Sequence, residues 1–330
     1  MKYQAPLWLP GGHLQTIWSA RFARRTTGPS LPWRRERWST PDDDFIDVDW
    51  LDQSSQDLKL TPRTLMVMFH GLEGSRSSHY SQAFASYCRA QGLAFALPHF
   101  RGCSGELNRA PRAYHSGDHE EIDWILARFR ALHSGPIVAV GISLGGNALM
   151  RWAGEMGEAA AQVVCAVASV CSPLDLTASG HAIGRGLSRQ IYTRMFLHSM
   201  KPKALQKLKQ HPGLFDAQKM LAARDLYDFD NVFTAPLHGF KNTEDYWQRA
   251  SAKPQLSRIR IPALALNARN DPFVPASSLP QAGEVGSHVT LWQPEHGGHV
   301  GFAQGRWPGH VQALPEMVGA WLQQQGKHHG

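Results

Sequence analysis

Short continuous runs of apolar residues recur along the chain, separated by segments whose apolar residues repeat every three or four positions. The runs have the length of strands buried on both faces, and the segments between them have the period of amphipathic helices. This alternation predicts an α/β fold with a mostly parallel, doubly wound sheet flanked by helices. We expect strands at 65–69, 93–97, 137–140, 163–170, 261–266 and 289–292, and helices at 79–89, 118–132 and 310–323.

Two stretches depart from this alternation. Residues 1–60 are rich in proline and tryptophan, and within them residues 45–52 alternate apolar with polar side chains. Such alternation is typical of a half-buried antiparallel strand, which we place at the edge of the sheet. Residues 1–40 are expected to form an N-terminal extension that packs on the core. Residues 176–253 are helical, basic and without a buried strand, which predicts a helical lid inserted into one domain of residues 1–330.

Composition narrows the class of protein. Hydrophobic residues make up 42% of the 330 and charged residues 18%, as is usual in soluble globular proteins. No apolar run reaches the roughly 20 residues that a transmembrane helix needs, and the first residues lack the features of a secretory signal. We therefore expect a cytoplasmic protein whose cysteines stay reduced. These cysteines are Cys88, Cys103, Cys165 and Cys171.

The formal net charge of +7 is unevenly distributed, with two basic clusters along the chain. Such clusters occur in proteins that bind nucleic acids or anionic membranes, but they also form solvated faces whose long side chains cover apolar surface. Both interpretations stay open at this point. The N-terminal cluster, interleaved with tryptophans, comprises Arg21, Arg24, Arg25, Arg34, Arg35 and Arg37. The lid cluster comprises Arg185, Arg189, Arg194, Lys201, Lys203, Lys207 and Lys209.

The segment Gly141-Ile-Ser143-Leu-Gly145 lies between a predicted buried strand and a predicted helix. A serine in a sharp strand-to-helix turn has its hydroxyl raised above the sheet, and the nearby glycines relieve crowding in the turn. This arrangement is typical of a nucleophilic serine. A glycine-rich turn without chemistry is the alternative, and the strand before it and the helix after it favour the nucleophile.

A nucleophilic serine of this kind needs an acid and a histidine further along the chain. Asp271 follows a later predicted strand and can orient an imidazole, although aspartate in such a place can also cap a turn. Asp175 is the rival acid. His299 is preferred to His296 because the two glycines before it allow its loop to fold back, and a zinc site at these histidines lacks a third ligand. Where the nucleophilic serine lies in a strand–turn–helix, the acid follows it in the sequence and the histidine follows the acid. Ser143, Asp271 and His299 occur in this order.

A serine nucleophile also needs two N–H groups that hold the negative oxygen of the reaction intermediate. The backbone N–H of Leu144, directly after the serine, is one candidate. The N–H of Leu72 is the second, because it follows an early buried strand and Gly71 lets that backbone approach closely. His70 is interpreted as a structural histidine that forms hydrogen bonds in the core.

With these motifs in place, the sequence resembles the YheT-like group of α/β hydrolases, the bacterial relatives of the ABHD1/ABHD3 esterases and lipases. The resemblance covers nearly the whole chain. It implies an α/β-hydrolase fold with a helical lid and the triad Ser143, Asp271 and His299, and Asp118 stands where the group carries a carboxylate. The motifs that carry the resemblance lie at residues 12–17, 69–75, 100–105, 114–117, 141–147, 267–274 and 297–302.

The resulting hypothesis is a carboxylic ester hydrolase that works through an acyl-enzyme and needs neither a metal nor an organic cofactor. The amphipathic lid favours a medium- or long-chain acyl ester or a lipid as substrate, with a possible peripheral contact to an anionic membrane. Nucleic acid is not expected as a partner. The alternative is a non-enzymatic protein on a hydrolase scaffold, which binds anionic membranes or nucleic acid through its basic segments.

Overall fold

The computed structural model describes residues 2–26, 28–52 and 63–327. Eight strands in this part of the chain form one sheet. Each run that was predicted to be a buried strand overlaps one of the strands β3 to β8. The strands are β1 (Trp33–Ser39), β2 (Phe45–Leu51), β3 (Leu65–Phe69), β4 (Ala94–Pro98), β5 (Ile137–Ile142), β6 (Ala166–Val170), β7 (Ala263–Leu266) and β8 (Val289–Trp292).

The strand order across the sheet is β1-β2-β4-β3-β5-β6-β7-β8. Neighbouring strands from β4 to β8 run parallel, whereas β2 is antiparallel to both β1 and β4. The last residues of β5, β6, β7 and β8 lie in register, because Ile142 pairs with Val170 and Leu266 pairs with Trp292. The loops that follow these strands therefore meet at one edge of the sheet, where α/β proteins form their binding sites. The predicted fold class is confirmed.

The prediction of an edge position for β2 was wrong. β2 pairs with β1 on one side and β4 on the other, and all its residues except Trp50 are buried. The polar positions of its alternating pattern, Asp47 and Asp49, are buried because Arg37 and Arg35 of β1 reach them at 2.7 Å between Nε and Oδ1. Buried carboxylates are tolerated in a strand when they are paired in this way.

β1 lies at this edge of the sheet and β8 lies at the other. The sequence pattern did not predict β1, which lies within the expected N-terminal extension. Its arginines belong to the N-terminal basic cluster. Arg37 also contacts Glu106 at 2.6 Å, and Arg35 donates to the carbonyl of Ser104. These two arginines are held by groups of the protein itself. Their contacts favour a structural role over binding of nucleic acid.

Helices cover both faces of the sheet. α2 and α12 pack on the face that carries Met66 and Met68, while α3 and α4 pack on the face that carries Val67 and Phe69. The helices are α1 (Gly12–Arg21), α2 (His79–Ala90), α3 (His119–Leu132), α4 (Leu144–Met156), α5 (Leu176–Ile183), α6 (Gly186–Ser188), α7 (Arg194–Gln210), α8 (Ala217–Ala222), α9 (Leu226–Phe229), α10 (Ala235–Leu237), α11 (Thr243–Ala250) and α12 (Ala313–Lys327). Short 3₁₀ turns lie at Gly157–Gln162, Lys253–Arg258, Ala276–Ser278 and Ala282–Glu284.

The inserted helices are α5 to α11, which lie between β6 and β7. A π-helical turn at Arg189–Thr193 joins α6 to α7, and another at Asp230–Thr234 joins α9 to α10. Leu197, Met220 and Phe229 are buried against one another, so these helices have an apolar core of their own. The division of the chain at residues 176 and 253 stays a prediction. In the part of the chain that the structure describes, no helix is long and apolar enough to cross a bilayer.

Candidate active site

Ser143 lies at the junction of β5 and α4, with φ of 53° and ψ of −118°. A positive φ is unfavourable for a residue with a side chain, and such strain is concentrated at functional turns. The turn leaves no space for side chains on the neighbouring glycines. A Cβ on Gly141 would lie 2.4 Å from the Cα of Gly146, and one on Gly145 would lie 2.5 Å from the carbonyl oxygen of His70. This is the strand–turn–helix geometry that raises a serine hydroxyl above a sheet.

The structure brings Ser143, His299 and Asp271 together, although they are far apart in the sequence. Nε2 of His299 lies 3.0 Å from Oγ of Ser143, and Nδ1 of His299 lies 2.9 Å from Oδ2 of Asp271. The other carboxylate oxygen of Asp271 accepts a hydrogen bond from the N–H of Phe273 at 2.8 Å. The Asp271 side chain is fully buried. These contacts form a continuous hydrogen-bonded chain from a buried carboxylate to a serine hydroxyl.

The rival residues lie elsewhere. The Asp175 carboxylate caps α5 by accepting from the N–H of Ala178 at 2.9 Å. His296 is exposed, and its Nδ1 lies 3.5 Å from the side-chain nitrogen of Asn270. Among the described residues, no group of three or more histidine, cysteine and acidic side chains is arranged to hold a metal ion.

The loop after β3 lies directly against the serine. A Cβ on Gly71 would be 3.2 Å from the Cβ of Ser143, a tight contact that glycine avoids. The N–H groups of Leu72 and Leu144 donate no hydrogen bond to another group among the described residues. The N–H of Ser143 itself is occupied, because it donates to the carbonyl of Val170 at 2.8 Å.

His70 supports this loop from below. Its Nδ1 donates to the carbonyl of Gly71 at 2.7 Å, and its Nε2 accepts from the N–H of Phe100 at 3.1 Å. Burial lowers the pKa of His70 to about 3, so the ring is neutral at physiological pH. His70 is therefore a structural histidine, as the sequence indicated.

Sequence reasoning missed the groups that hold the His299 loop. Four consecutive N–H groups, those of residues 297 to 300, donate to side chains rather than to backbone carbonyls. Their acceptors are Oε1 of Gln15 at 2.8 Å, Oδ1 of Asn270 at 3.0 Å, Oγ1 of Thr16 at 2.8 Å and Sγ of Cys171 at 3.3 Å. The motif at 12–17 was noted in the sequence but received no role. Its polar residues, Gln15 and Thr16, were the available signal.

The chain is similar to proteins of a known family. The family model described as the α/β-hydrolase fold matches residues 64–305. YheT of Escherichia coli (strain K12) is 36% identical over 313 residues, which are 94% of this chain and 89% of that protein. The chain belongs to the α/β-hydrolase family. The resemblance to the YheT-like group is thereby confirmed.

Two further proteins are similar to this α/β hydrolase. Phospholipase ABHD3 of Mus musculus is 26% identical over 311 residues, covering 92% of this chain and 74% of that protein. Est1E of Butyrivibrio proteoclasticus, solved with ferulic acid bound, has a TM-score of 0.55 at 15% identity, covering 88% of this chain and 98% of Est1E. The latter likeness shows the fold alone. The relatives place this hydrolase with enzymes of the esterase and lipase type.

A large cavity in this α/β hydrolase opens at Ser143 and His299. Its atom-free volume, counted with its mouth, is about 1190 Å³. One wall comes from loops of the core and the other from the inserted helices. Most of the lining is apolar and comprises Leu72, Leu107, Ala113, Leu176, Ile183, Phe196, Met200, Leu226, Phe229, Phe233, Trp247 and Phe273.

The lysines of the lid cluster that line this cavity are paired within the protein. Nζ of Lys203 contacts Oε2 of Glu73 at 2.8 Å. Lys207 is only 1% exposed, and its Nζ donates to the carbonyl oxygens of Asn108 and Ala110, each at 2.7 Å. Burial lowers the pKa of Lys207 to about 8. These lysines join the inserted helices to the core, so acceptors of the protein itself occupy their ammonium groups.

The arginines of the lid cluster are arranged differently. Arg185, Arg189 and Arg194 have no ion pair or side-chain hydrogen bond among the described residues. Three exposed apolar side chains lie next to them in the sequence, with exposed fractions of 66% for Leu187, 39% for Ile191 and 47% for Met195. We call these six residues the lid surface patch.

Proposed function

We propose that this member of the esterase and lipase type hydrolyses carboxylic esters with Ser143 as nucleophile. The observation that carries this proposal is the hydrogen-bonded chain, 3.0 Å from His299 to Ser143 and 2.9 Å from His299 to Asp271. As Oγ of Ser143 attacks the ester carbonyl carbon, Nε2 of His299 takes its proton, and Asp271 orients and stabilises the imidazolium.

The second half of the reaction reverses these proton transfers. The imidazolium gives its proton to the departing alcohol, which leaves an ester between the acyl group and Ser143. A water molecule then loses a proton to His299 and attacks this ester, which releases the carboxylic acid and restores the Ser143 hydroxyl. No further reactant is needed, because water supplies both the hydroxyl and the proton.

We assign the stabilisation of the tetrahedral oxyanion to the N–H groups of Leu72 and Leu144. The close approach of Gly71 to Ser143 supports this assignment, and so does the absence of any other acceptor for these two groups in the described part of the chain. Preorganised donors of this kind act in a site from which water is largely excluded, where each contributes strongly to rate.

The cavity supports a substrate with a medium or long acyl chain. Its apolar walls match a hydrocarbon chain, whose transfer from water is favourable at about 0.8 kcal/mol for each buried CH₂ group. The cations in its lining, Lys203, Lys207 and Arg101, each contact acceptors of the protein. An anionic head group would therefore stay outside the cavity while the acyl chain enters it. The relative named phospholipase ABHD3 is consistent with a lipid ester.

We further propose that the lid surface patch contacts an anionic membrane. Exposed apolar side chains between unpaired arginines are typical of surfaces that lie in the interface of a bilayer. The patch runs from the start of α6 to the start of α7, and α7 also carries Phe196 and Met200 into the cavity, so a docked membrane would lie next to the inserted helices. The cytoplasmic location expected from the sequence stays a prediction.

Reaction with a fluorophosphonate probe tests the nucleophile. We expect the wild-type protein to be labelled and Ser143→Ala not to be labelled. Ser169→Ala removes a buried hydroxyl that has no hydrogen-bond partner in the described part of the chain, and it should be labelled normally. Assays of p-nitrophenyl esters from acetate to palmitate should then place the optimum at octanoate or longer. A folded wild-type protein that resists labelling would overturn the proposal, and the non-enzymatic binding protein would take its place.

Sedimentation with vesicles tests the membrane contact. Vesicles that contain phosphatidylglycerol should bind the protein, and vesicles of phosphatidylcholine alone should bind it weakly. Replacing Leu187, Ile191 and Met195 by glutamine should abolish binding. The control is Leu132→Gln at the end of α3, where an equally exposed leucine lies outside the patch. Equal binding by the triple variant and the wild-type protein would contradict the proposal.

A further inference from the structure

The loop that carries His299 is held in part by side chains from elsewhere in the chain. Gly297 and Gly298 have φ of 149° and 59°, and Val300 after the histidine has φ of 56°. Glycines in such conformations gain much conformational freedom when nothing restrains them. The N–H groups of residues 297 to 300 bind side chains from elsewhere in the chain. The position of the imidazole therefore depends on the groups that supply those acceptors.

Two of the four acceptors come from α1, more than 280 residues earlier in the sequence. We propose that α1 positions His299, with Gln15 and Thr16 fixing the backbone of its loop so that the imidazole meets both Ser143 and Asp271. This inference rests on the proposed function, since it gives the motif at 12–17 a role in the same reaction.

Both α1 side chains are themselves oriented by a second hydrogen bond. The Thr16 hydroxyl donates to the carbonyl of Gly12 at 2.7 Å, which leaves a lone pair of Oγ1 for the N–H of His299. The Gln15 side-chain nitrogen donates to the carbonyl of Leu9 at 3.0 Å, which turns Oε1 toward Gly297. A side chain held in this way restrains its partner more strongly than one that rotates freely.

Gln15 also joins the loops of His299 and Asp271. Its Oε1 accepts a second hydrogen bond, from the side-chain nitrogen of Asn270, at 3.0 Å. Asn270 in turn accepts from the N–H of Gly298, and it directly precedes Asp271. One side chain of α1 therefore fixes the histidine loop relative to the loop of its acid partner.

α1 and the His299 loop are in close contact, so a small displacement of α1 would also move the loop. A Cβ on Gly298 would lie 2.7 Å from the carbonyl oxygen of Gly12 and 2.8 Å from Oγ1 of Thr16. Gln15 and Thr16 are 1% and 7% exposed, and neither lines the cavity. They are positioning residues that have no contact with substrate, so their loss should lower kcat and leave KM nearly unchanged.

The test replaces Thr16 by valine, which keeps the shape of the side chain and removes the acceptor. We expect kcat for a p-nitrophenyl ester to fall roughly 10- to 100-fold, since small misplacement of a reacting group has effects of this size. Thr16→Ser restores the acceptor and should recover most of the rate. Ser19→Ala is the matched control, because it removes a fully buried hydroxyl of the same helix that has no hydrogen-bond partner among the described residues.

Gln15→Met provides a second variant in case Thr16→Val does not fold, and it should reduce kcat by a similar factor. Fluorophosphonate labelling distinguishes a failure of the proposed function from a failure of the proposed role of α1. If the wild-type protein is not labelled, the proposed function fails. If it is labelled, and folded Thr16→Val or Gln15→Met reacts as fast as the wild-type protein, or serine at position 16 is no better than valine, the role of α1 is overturned.

Discussion

The ring of Phe273 lies nearly parallel to the imidazole of His299, with ring centroids 3.9 Å apart and an angle of 18° between the planes. Phe273 is close to Asp271 in the sequence, and its N–H binds the carboxylate of that residue. The same short segment therefore supplies the hydrogen-bond acceptor for one ring nitrogen of His299 and covers the face of its ring. This arrangement limits rotation of the imidazole away from Ser143.

Replacing Phe273 by leucine should reduce catalysis without unfolding the protein. Leucine retains apolar bulk and the backbone N–H, but it loses the flat surface against the imidazole. Stacked ring pairs contribute about 0.5–1.5 kcal/mol beyond their buried area, so we expect kcat to fall about 3- to 10-fold. The measurement is kcat and KM for p-nitrophenyl acetate, with thermal unfolding as a check on the fold.

Phe196→Leu is the matched control for this substitution. Phe196 lies on α7 and lines the cavity, and the centroid of its ring is 6.2 Å from that of Phe273. This variant should raise KM for long-chain esters and leave kcat for the acetate ester unchanged. If both phenylalanine variants lost the same fraction of kcat on acetate, the stacked ring would have no role of its own.

The two candidate acids can be separated by their variants. Asp271→Asn removes the charge that stabilises the imidazolium, and we expect kcat/KM to fall roughly 10²- to 10⁴-fold. Asp175→Ala removes the cap of α5, which should lower the free energy of unfolding by about 1 kcal/mol and leave kcat/KM intact. Ester hydrolysis and chemical denaturation of both proteins provide the comparison. Full activity in Asp271→Asn would contradict the assignment of the acid.

The central strands and the serine turn could be predicted from the sequence because their signals are local. β8 lies at an edge of the sheet and is only partly buried. Each strand from β3 to β7 coincides with a run of apolar residues, and burial on both faces requires such a run. Ser143 follows one of these runs directly and is flanked by glycines that the turn itself needs. The sequence order of Ser143, Asp271 and His299 then follows from the order of the strands.

The N-terminal elements were missed because their burial depends on distant partners. α1 buries Gln15, Thr16 and Ser19, which are all polar, whereas its apolar Leu14 is 52% exposed, so the apolar pattern does not indicate the buried face of this helix. The neighbours of β2 were misjudged for a similar reason, since Asp49 is buried only when Arg35 from another strand reaches it. Patterns within one segment cannot show such pairings.

The length of the acyl group that the cavity accepts should depend on Met200. Tryptophan at this position adds volume inside the cavity, and we expect kcat/KM for the palmitate ester to fall at least about tenfold while the acetate ester is little affected. Met195→Trp is the control, because this methionine of the same helix is exposed. Equal loss on both esters in Met200→Trp would argue against an acyl chain in this part of the cavity.

Asp230 should make the stability of the protein depend on pH. Its carboxylate accepts from the Thr234 hydroxyl at 2.6 Å and from the indole N–H of Trp247 at 2.9 Å. Burial raises the pKa of Asp230 from its ordinary value of 3.8 to about 6. Because the folded-state pKa is raised, the stabilising contribution of this group is complete below about pH 4 and is lost as the pH rises through 6.

Asp230→Asn imitates the protonated acid and cannot ionise, so it should escape this loss. We expect the variant to melt close to the wild-type temperature at pH 4.5 and at a higher temperature at pH 7.5. Asp47→Asn should show the opposite dependence on pH, with a melting temperature close to that of the wild-type protein in acid and lower than it at neutral pH. Burial opposes ionisation there, yet the hydrogen bonds and charge of Arg37 lower the pKa of Asp47, so its contribution is present above about pH 4 and is lost in acid. A difference in melting temperature between Asp230→Asn and the wild-type protein that stays constant from pH 4.5 to 7.5 would refute the ionisation of Asp230 in this range.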